Sequence, residues 1–310
     1  MTDEHPEEAG SGGWPAASTR LVALLGWPGR YSRSPQIHNA AFRHVRLDLV
    51  YVALPCKPDD LSAVVATLRA VDAAGANVTV PYKQDVIALT DRLTDEARTV
   101  GAVNTLVFAK DGIVGDNTDA DGLADDWRER ISADVMACGV TVLGTGGGAR
   151  AAVLAAGRMG ADVTVVGRRQ EAAEAVAHDL APHVNSRVEG CALDAAIVPT
   201  RIADSGLVVN ATPLGMKGEQ LPSRFMALQP HQVAYDLVYE PEATPFMLAA
   251  VEAGACAYGG LGMLVRQAAR AFTAWSGQSA PVEIMERAAL GLPANPSEGD
   301  AGPDAGRGRW

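Results

Sequence analysis

The sequence has no apolar run near the ~18 residues that a membrane-spanning helix needs. It has few cysteines. Cys56, Cys138, Cys191 and Cys256 never fall in a C-x-x-C spacing, which disfavours a zinc site and a disulfide framework alike. Reduced, mostly buried thiols are the expectation. Its histidines are scattered with no H-x-x-x-H pair, and no metal is expected. Basic residues are outnumbered 26 to 37, a net charge of −11. Such a chain repels a phosphate backbone, and without a local basic patch nucleic acid is not an expected partner. The acidic start, Met1 to Glu8, lacks the basic-then-apolar order of a secretory signal, so the expected location is the cytoplasm.

What is present suits a globular protein: 48% hydrophobic and 20% charged residues over 310 positions, a length that suggests two domains. Residues 1–18 and 293–310 are rich in Glu, Gly, Ser and Pro and read as disordered tails. Between them, apolar strand patterns at Leu21–Leu25, Val50–Leu54 and Ala76–Val80 alternate with helical ones at Pro35–Val45 and Asp59–Val71. This β-α-β-α-β order predicts a parallel sheet covered by helices. Leu106–Ala109 and Ile113–Val114 flank an Asp111-Gly112 turn and read as a hairpin. A second α/β series has strands at Val140–Leu143, Val163–Val166, Leu207–Asn210 and Val233–Leu237. Its helices fall near Ala149–Met159, Gln170–Leu180 and Thr244–Ala253, and a last helix follows Gly259-Gly260.

The second series opens on Val140-Thr-Val-Leu-Gly-Thr-Gly-Gly-Gly-Ala-Arg150, a strand, a glycine turn and an alanine-rich helix. Read as G-x-G-x-x-G/A, its marks are Gly144, Gly146 and Ala149. Bare backbone and the positive end of the helix suit a dinucleotide pyrophosphate, although such a turn also serves as a plain connection. One strand later Gly167-Arg168-Arg169 stands where an NAD site would carry a carboxylate. Guanidiniums match a phosphate, so the 2′-phosphate of NADP fits better, the alternative being a solvated arginine pair.

Four polar segments interrupt the first series: Gly26–Asn39, Asn77–Lys83, Gly101–Thr105 and Gly115–Gly122. Each adjoins a strand, where ligands bind in a parallel sheet. Ser32 and Ser34 precede Pro35, the expected first residue of a helix. Their hydroxyls could hold a ligand carboxylate or cap that helix. Lys83 lies at a strand-to-helix junction, and Asp119 is placed in a loop beyond the hairpin. Together in a cleft they could polarise a carbonyl and relay a proton; an ordinary surface ion pair is the other reading.

In order, these blocks resemble those of the shikimate dehydrogenases across residues 20–290. S-x-S-P-x-x-H-N is met by Ser32–Asn39, N-V-T-x-P-x-K by Asn77–Lys83, and G-A-V-N-T and G-x-N-T-D-x-x-G in full. Asn210–Met216, Asp236–Pro245 and Gly260–Gln267 add three more. The resemblance implies NADPH-dependent, reversible reduction of 3-dehydroshikimate to shikimate in aromatic amino acid biosynthesis. It makes Lys83 and Asp119 the catalytic pair and gives the substrate carboxylate to Ser32 and Ser34. Thr79, Lys83, Asn104, Asp119 and Gln267 would contact the ring, with Tyr239 nearby. NADP would bind Gly144, Thr145, Gly146, Gly147, Gly148 and Ala149, with Arg150 closing the pyrophosphate segment. Arg168 and Arg169 would take the 2′-phosphate, Leu237 and Gly260 would line the nicotinamide pocket, and Gly167 and Thr212 would also bind the cofactor.

The implied fold is two α/β domains. A substrate domain (19–120) with a mostly parallel sheet precedes a Rossmann-type NADP domain (121–258), and C-terminal helices (259–292) return to the first. A monomer or homodimer acting on a small molecule is expected. The alternatives are a quinate/shikimate or aminoshikimate-type dehydrogenase using NAD, and a non-catalytic sensor. The latter is opposed by retention of Lys83 and Asp119. Two positions depart from the family pattern: Gly167-Arg168-Arg169 replaces a common Asn-Arg-Thr, and Tyr31 replaces a common His beside the first serine.

Overall fold

The computed structural model describes residues 14–28 and 32–293. Residues 14–18, expected in a tail, are already tied down: the Trp14 indole donates to the Leu49 carbonyl at 3.1 Å, and Ser18 bonds Asp48 at 2.7 Å. Apart from Pro293, the rest of both expected tails lies outside the described residues.

The first sheet holds β1 (Arg20–Gly26), β2 (Leu49–Pro55), β3 (Gly75–Val78), β4 (Arg92–Leu93), β5 (Thr105–Ala109) and β6 (Gly112–Asp116). Their order is β2-β1-β3-β5-β6-β4. β1 pairs in parallel with both β2 and β3, and β5 turns back antiparallel through the hairpin to β6. β1 is central because Val22, Ala23 and Leu25 are fully buried, so both its faces are apolar. Helix α1 (Ser34–His44) starts with proline in its first turn, where the missing N–H costs no hydrogen bond. Helices α2 (Leu61–Ala70) and α3 (Asp95–Val100) follow. Thr94 caps α3 by accepting from the Ala97 N–H, and Gly101 ends it at φ 69°.

Two helices then lead into the second half: α4 (Asp119–Arg130) and α5 (Ala133–Ala137). Asp119 therefore opens a helix instead of sitting in a loop, and α4 runs through the expected domain boundary at 120–121. The second sheet is parallel throughout. It is built from β7 (Val140–Leu143), α6 (Gly147–Arg158), β8 (Val163–Gly167), α7 (Gln170–Leu180), β9 (Val188–Ala192), α8 (Val198–Asp204), β10 (Leu207–Asn210), β11 (Val233–Asp236), α9 (Pro245–Glu252) and β12 (Cys256–Gly259). Its strand order, β12-β11-β10-β7-β8-β9, is the Rossmann arrangement, with the switch point between β7 and β10. Small residues let α6 lie close on this sheet: Ala149, Ala151, Ala152 and Ala156 are fully buried.

Helices α10 (Leu261–Ser276) and α11 (Val282–Ala289) close the chain. Val265, Ala268, Phe272 and Met285 join Val22, Leu24, Ile37 and Phe42 in one core, so both helices pack back on the first sheet. No helix of the described residues is long and apolar enough to cross a membrane. The cysteine expectation needs correction: Cys56 and Cys191 are buried, but Cys138 and Cys256 are exposed.

Candidate functional site

The first sheet brings three polar segments to one edge. Lys83 follows the end of β3, Asn104 precedes β5, and Asn117 to Asp119 follow β6. Lys83 Nζ lies 2.5 Å from Asp119 Oδ2, with the two side chains 22% and 5% exposed. That burial rules out an ordinary surface ion pair. Asp119 is held from three sides. Its other oxygen accepts from Asn104 Nδ2 at 2.7 Å, its backbone N–H donates to Asn117 Oδ1 at 2.9 Å, and the start of α4 favours a negative charge. The lysine ammonium has two further N–H bonds to offer a ligand.

Asn104 is the hub. Its amide also donates to Thr118 Oγ1 at 2.9 Å, and its carbonyl oxygen accepts from the Thr118 N–H and the Thr105 hydroxyl. Gln267 of α10 brings its own carbonyl oxygen 3.5 Å from both Asn104 Nδ2 and Thr118 Oγ1. Asn77, also buried, donates to the Asn104 carbonyl and Thr105 Oγ1 and accepts from the Tyr51 hydroxyl at 2.8 Å. Thr79 is half-buried two residues further along the same segment.

The serines stand at the start of α1. Ser32 Oγ donates to Ser34 Oγ at 3.0 Å and accepts from the Ser34 N–H at 3.2 Å. Ser32 thus satisfies the first N–H of α1, while the Ser34 hydroxyl accepts, among the described residues, only from Ser32, so capping accounts for one serine and not for both. Burial raises the Tyr239 phenol above its usual range, and a hydrogen bond with Ser32 works against that shift. Beside them Arg33 donates to Glu240 and to the Ala289 carbonyl, both at 2.8 Å. Below lies His38, fully buried and stacked on Tyr51 at 4.5 Å. Burial pushes its imidazole down to about 3, so the ring stays neutral. Tyr31 lies outside the described residues.

The glycine turn comes up against the Lys83 side chain. Gly144 has φ 122°, open to glycine at little cost, and a Cβ there would sit 3.0 Å from the Ala211 carbonyl oxygen beside Thr212. Gly146 ends the turn, and α6 starts at Gly147, two residues before the expected start, with no side chain capping its free N–H groups. A Cβ at Gly147 would lie 3.6 Å from Lys83 Cδ and 3.7 Å from Ala102 Cβ. One at Gly148 would lie 3.0 Å from Leu237 Cδ1. Gly260 packs against the Leu237 backbone, and Gly167 adjoins Thr145. The glycines thus keep open a cradle between Lys83, Leu237 and the helix end. Arg168 and Arg169 are exposed just beyond β8 and enter no salt bridge among the described residues. Arg150 behaves differently. Its guanidinium bonds the Val100 carbonyl at the end of α3 and Asp179 at 3.1 Å, joining the two halves instead of facing the turn.

Behind the cradle, Asp236 is buried and accepts from Asn210 Nδ2, the Val238 N–H and the Thr244 hydroxyl. Burial nonetheless raises its carboxyl to about 6. Asn210 in turn holds Thr212 through both its N–H and its hydroxyl. Sequence reasoning passed over Asn77, Thr118, Tyr51 and His38. Asn77 and His38 were visible inside their motifs, while Tyr51 stands in an ordinary apolar strand.

Known proteins match this chain in both halves. The family described as the shikimate dehydrogenase substrate binding domain matches residues 24–106, and that described as the shikimate 5′-dehydrogenase C-terminal domain matches residues 260–290. A shikimate dehydrogenase (NADP(+)) of Methanopyrus kandleri is 38% identical over 278 residues, 88% of this chain and 96% of that protein. One of Salinibacter ruber is 42% identical over 275 residues, 86% of this chain and 95% of that protein. The solved shikimate dehydrogenase of Thermus thermophilus in complex with NADP(H) and shikimate superposes with a TM-score of 0.75 at 30% identity, covering 88% of this chain and 99% of that one.

Proposed function

The chain belongs to the shikimate dehydrogenase family, and on that premise we propose how its residues divide the reaction. The enzyme is an NADP-dependent oxidoreductase that reversibly reduces 3-dehydroshikimate to shikimate in aromatic amino acid biosynthesis. NADPH, when bound, supplies the hydride that adds to the ketone carbon. The residues present fit it: an uncapped helix start behind a bare glycine turn for the pyrophosphate, and exposed Arg168 and Arg169 for the 2′-phosphate. Gly144 to Ala149 and Thr212 take the dinucleotide, Gly167 leaves room beside Thr145, and Leu237 and Gly260 form the nicotinamide wall.

Lys83 donates a hydrogen bond to the ketone oxygen, steadies the negative charge that develops there and gives it a proton. Asp119 holds Lys83 in place and accepts from a ring hydroxyl. Asn104, Thr79 and Gln267 bind the remaining hydroxyls. A site whose buried polar groups need those hydroxyls rejects rings that lack them. Ser32 and Ser34 hold the substrate carboxylate, with Tyr239 against it. Residues 19–120 serve as the substrate domain, 121–258 as the cofactor domain, and 259–292 return to the first. The enzyme works in the cytoplasm, as a monomer or homodimer, without nucleic acid.

One observation carries this reading: the glycine turn and the buried Lys83–Asp119 pair share a wall, with a Cβ at Gly147 falling 3.6 Å from Lys83 Cδ. Replacement Lys83→Ala tests it. Loss of a positioned acid lowers kcat by about 10²- to 10⁴-fold, with the shikimate KM within a few-fold. Turnover that survives the change removes Lys83 from the chemistry.

A further inference from the structure

Helix α4 carries three residues along one face, at i, i+3 and i+7: Asp119, Gly122 and Asp126. Asp119 belongs to the site. Gly122 lies against α10, where a Cβ would come 2.6 Å from the Gln267 nitrogen and 2.8 Å from its Cα. The backbone of α4 therefore touches the very residue whose amide reaches Asn104 and Thr118.

Asp126 is fully buried, in a place where a charge is costly unless it is paired. It accepts from the Tyr235 hydroxyl at 2.6 Å and from Arg130 Nε at 2.8 Å. Tyr235 lies in β11, two residues before Leu237. The carboxylate fills the space over Gly262, where a Cβ would overlap it. Arg130 stacks 5.7 Å over the Tyr258 ring of β12, the strand that leads into Gly260. Trp127 packs edge-on against Tyr235 at 5.6 Å. One carboxylate thus joins α4, β11 and the start of α10, and its arginine partner adds β12. Asp119, Leu237, Gly260 and Gln267 all stand on or next to those four elements.

Resting on the function proposed above, we propose that Asp126 is a positioning residue. Through Tyr235 and through its own seat over Gly262 it locks α4, β11 and α10 together and so sets the spacing of Asp119, the nicotinamide wall and Gln267. It touches neither substrate nor cofactor. Apolar packing could fill the same space, but a hydrogen bond of fixed direction holds α4 to β11, the carboxylate seated over Gly262 sets how near the start of α10 comes, and a misplacement of about 1 Å in an active site costs on the order of 10²-fold in rate.

The test uses the whole chain with Tyr235→Phe, which keeps the ring against Trp127 and removes only the donor, and Asp126→Asn, which keeps the shape. Each is measured for kcat and KM with shikimate, for NADP+ dissociation constant and for folded fraction at the assay temperature. Both variants are expected to stay folded, to lose about 10- to 100-fold in kcat/KM for shikimate through a higher KM and a lower kcat, and to keep NADP+ affinity within about two-fold. The cofactor affinity holds because β7 and α6 carry the turn. Unchanged kcat and KM per folded molecule overturn the proposal, as does an equal loss of NADP+ affinity, which would mean general loosening. If Asp126→Asn unfolds, Tyr235→Phe alone decides. A wild-type enzyme inactive on shikimate would instead remove the functional reading beneath, whereas an active wild type with unaffected variants removes this proposal alone.

Discussion

His38 offers a test of the fold's electrostatics that needs no substrate. The ring is fully buried between Phe42, Tyr51 and Trp275, and neither ring nitrogen has a hydrogen-bond partner among the described residues. Burial holds its imidazole at about 3, against 6.5 for an ordinary histidine. On acidification the unfolded chain therefore takes up this proton and the folded chain does not, so stability is lost as the pH drops below 6.5 towards 3. From about pH 7 to about pH 5 the loss amounts to about 2 kcal/mol, and it is insensitive to how far below 5 the folded value lies. Asp236 works in the opposite direction. Its carboxyl, raised to about 6 from 3.8, takes up a proton first in the folded state and gains stability as the pH falls through that window. That gain is common to the wild type and a His38→Leu variant and cancels between them. Urea unfolding of both proteins at the two pH values therefore isolates His38. The variant should improve relative to the wild type by about 2 kcal/mol on going to the lower pH, whatever the replacement costs at neutrality. An unchanged difference between the two proteins would mean that the folded protein protonates His38 in this range, and the buried neutral ring would be wrong.

The cofactor cradle gives two more expectations. Arg168→Asp replaces a charged phosphate donor by a like charge and should weaken NADP+ binding by about 10- to 100-fold while sparing NAD+, as read by fluorescence titration. Equal losses for both cofactors would deny Arg168 the 2′-phosphate. Gly148→Val places branched carbon where a Cβ is already 3.0 Å from Leu237. Calorimetry should show NADP+ affinity down by at least about ten-fold, with the helix itself losing under about 1 kcal/mol of stability. Unchanged affinity would mean that the cradle is elsewhere.

Strongly patterned elements were legible in the sequence. Gln170–Leu180 and Leu207–Asn210 have the expected bounds because their burial pattern is carried by Ala, Val and Leu at the proper period. β9, Val-Glu-Gly-Cys-Ala, went unseen because an edge strand with a charge and a glycine carries no such pattern. The stretch from Asp119, Asp-Ala-Asp-Gly-Leu-Ala-Asp-Asp, reads as a loop because it is rich in poor helix formers. Burial of Ala120, Leu123, Ala124 and Trp127 against neighbouring elements overrides that local preference. Within the site, the residue types were visible but not their partners. Gln267 meets Asn104 across 163 positions, and nothing local in either segment announces it. Arg150 adjoins the glycine turn in sequence, yet the carbonyls left free at the end of α3 draw it away. Asp126 and Tyr235 carry no local signal at all: only the crossing of α4 and α10 shows that a carboxylate fits there.

Steady-state kinetics with shikimate and with quinate, each against NADP+ and NAD+, test the central claim most directly. The arrangement of Lys83, Asp119 and Arg168 predicts the highest kcat/KM for shikimate with NADP+, and its collapse in Lys83→Ala. A higher value for quinate, or for NAD+, would contradict it.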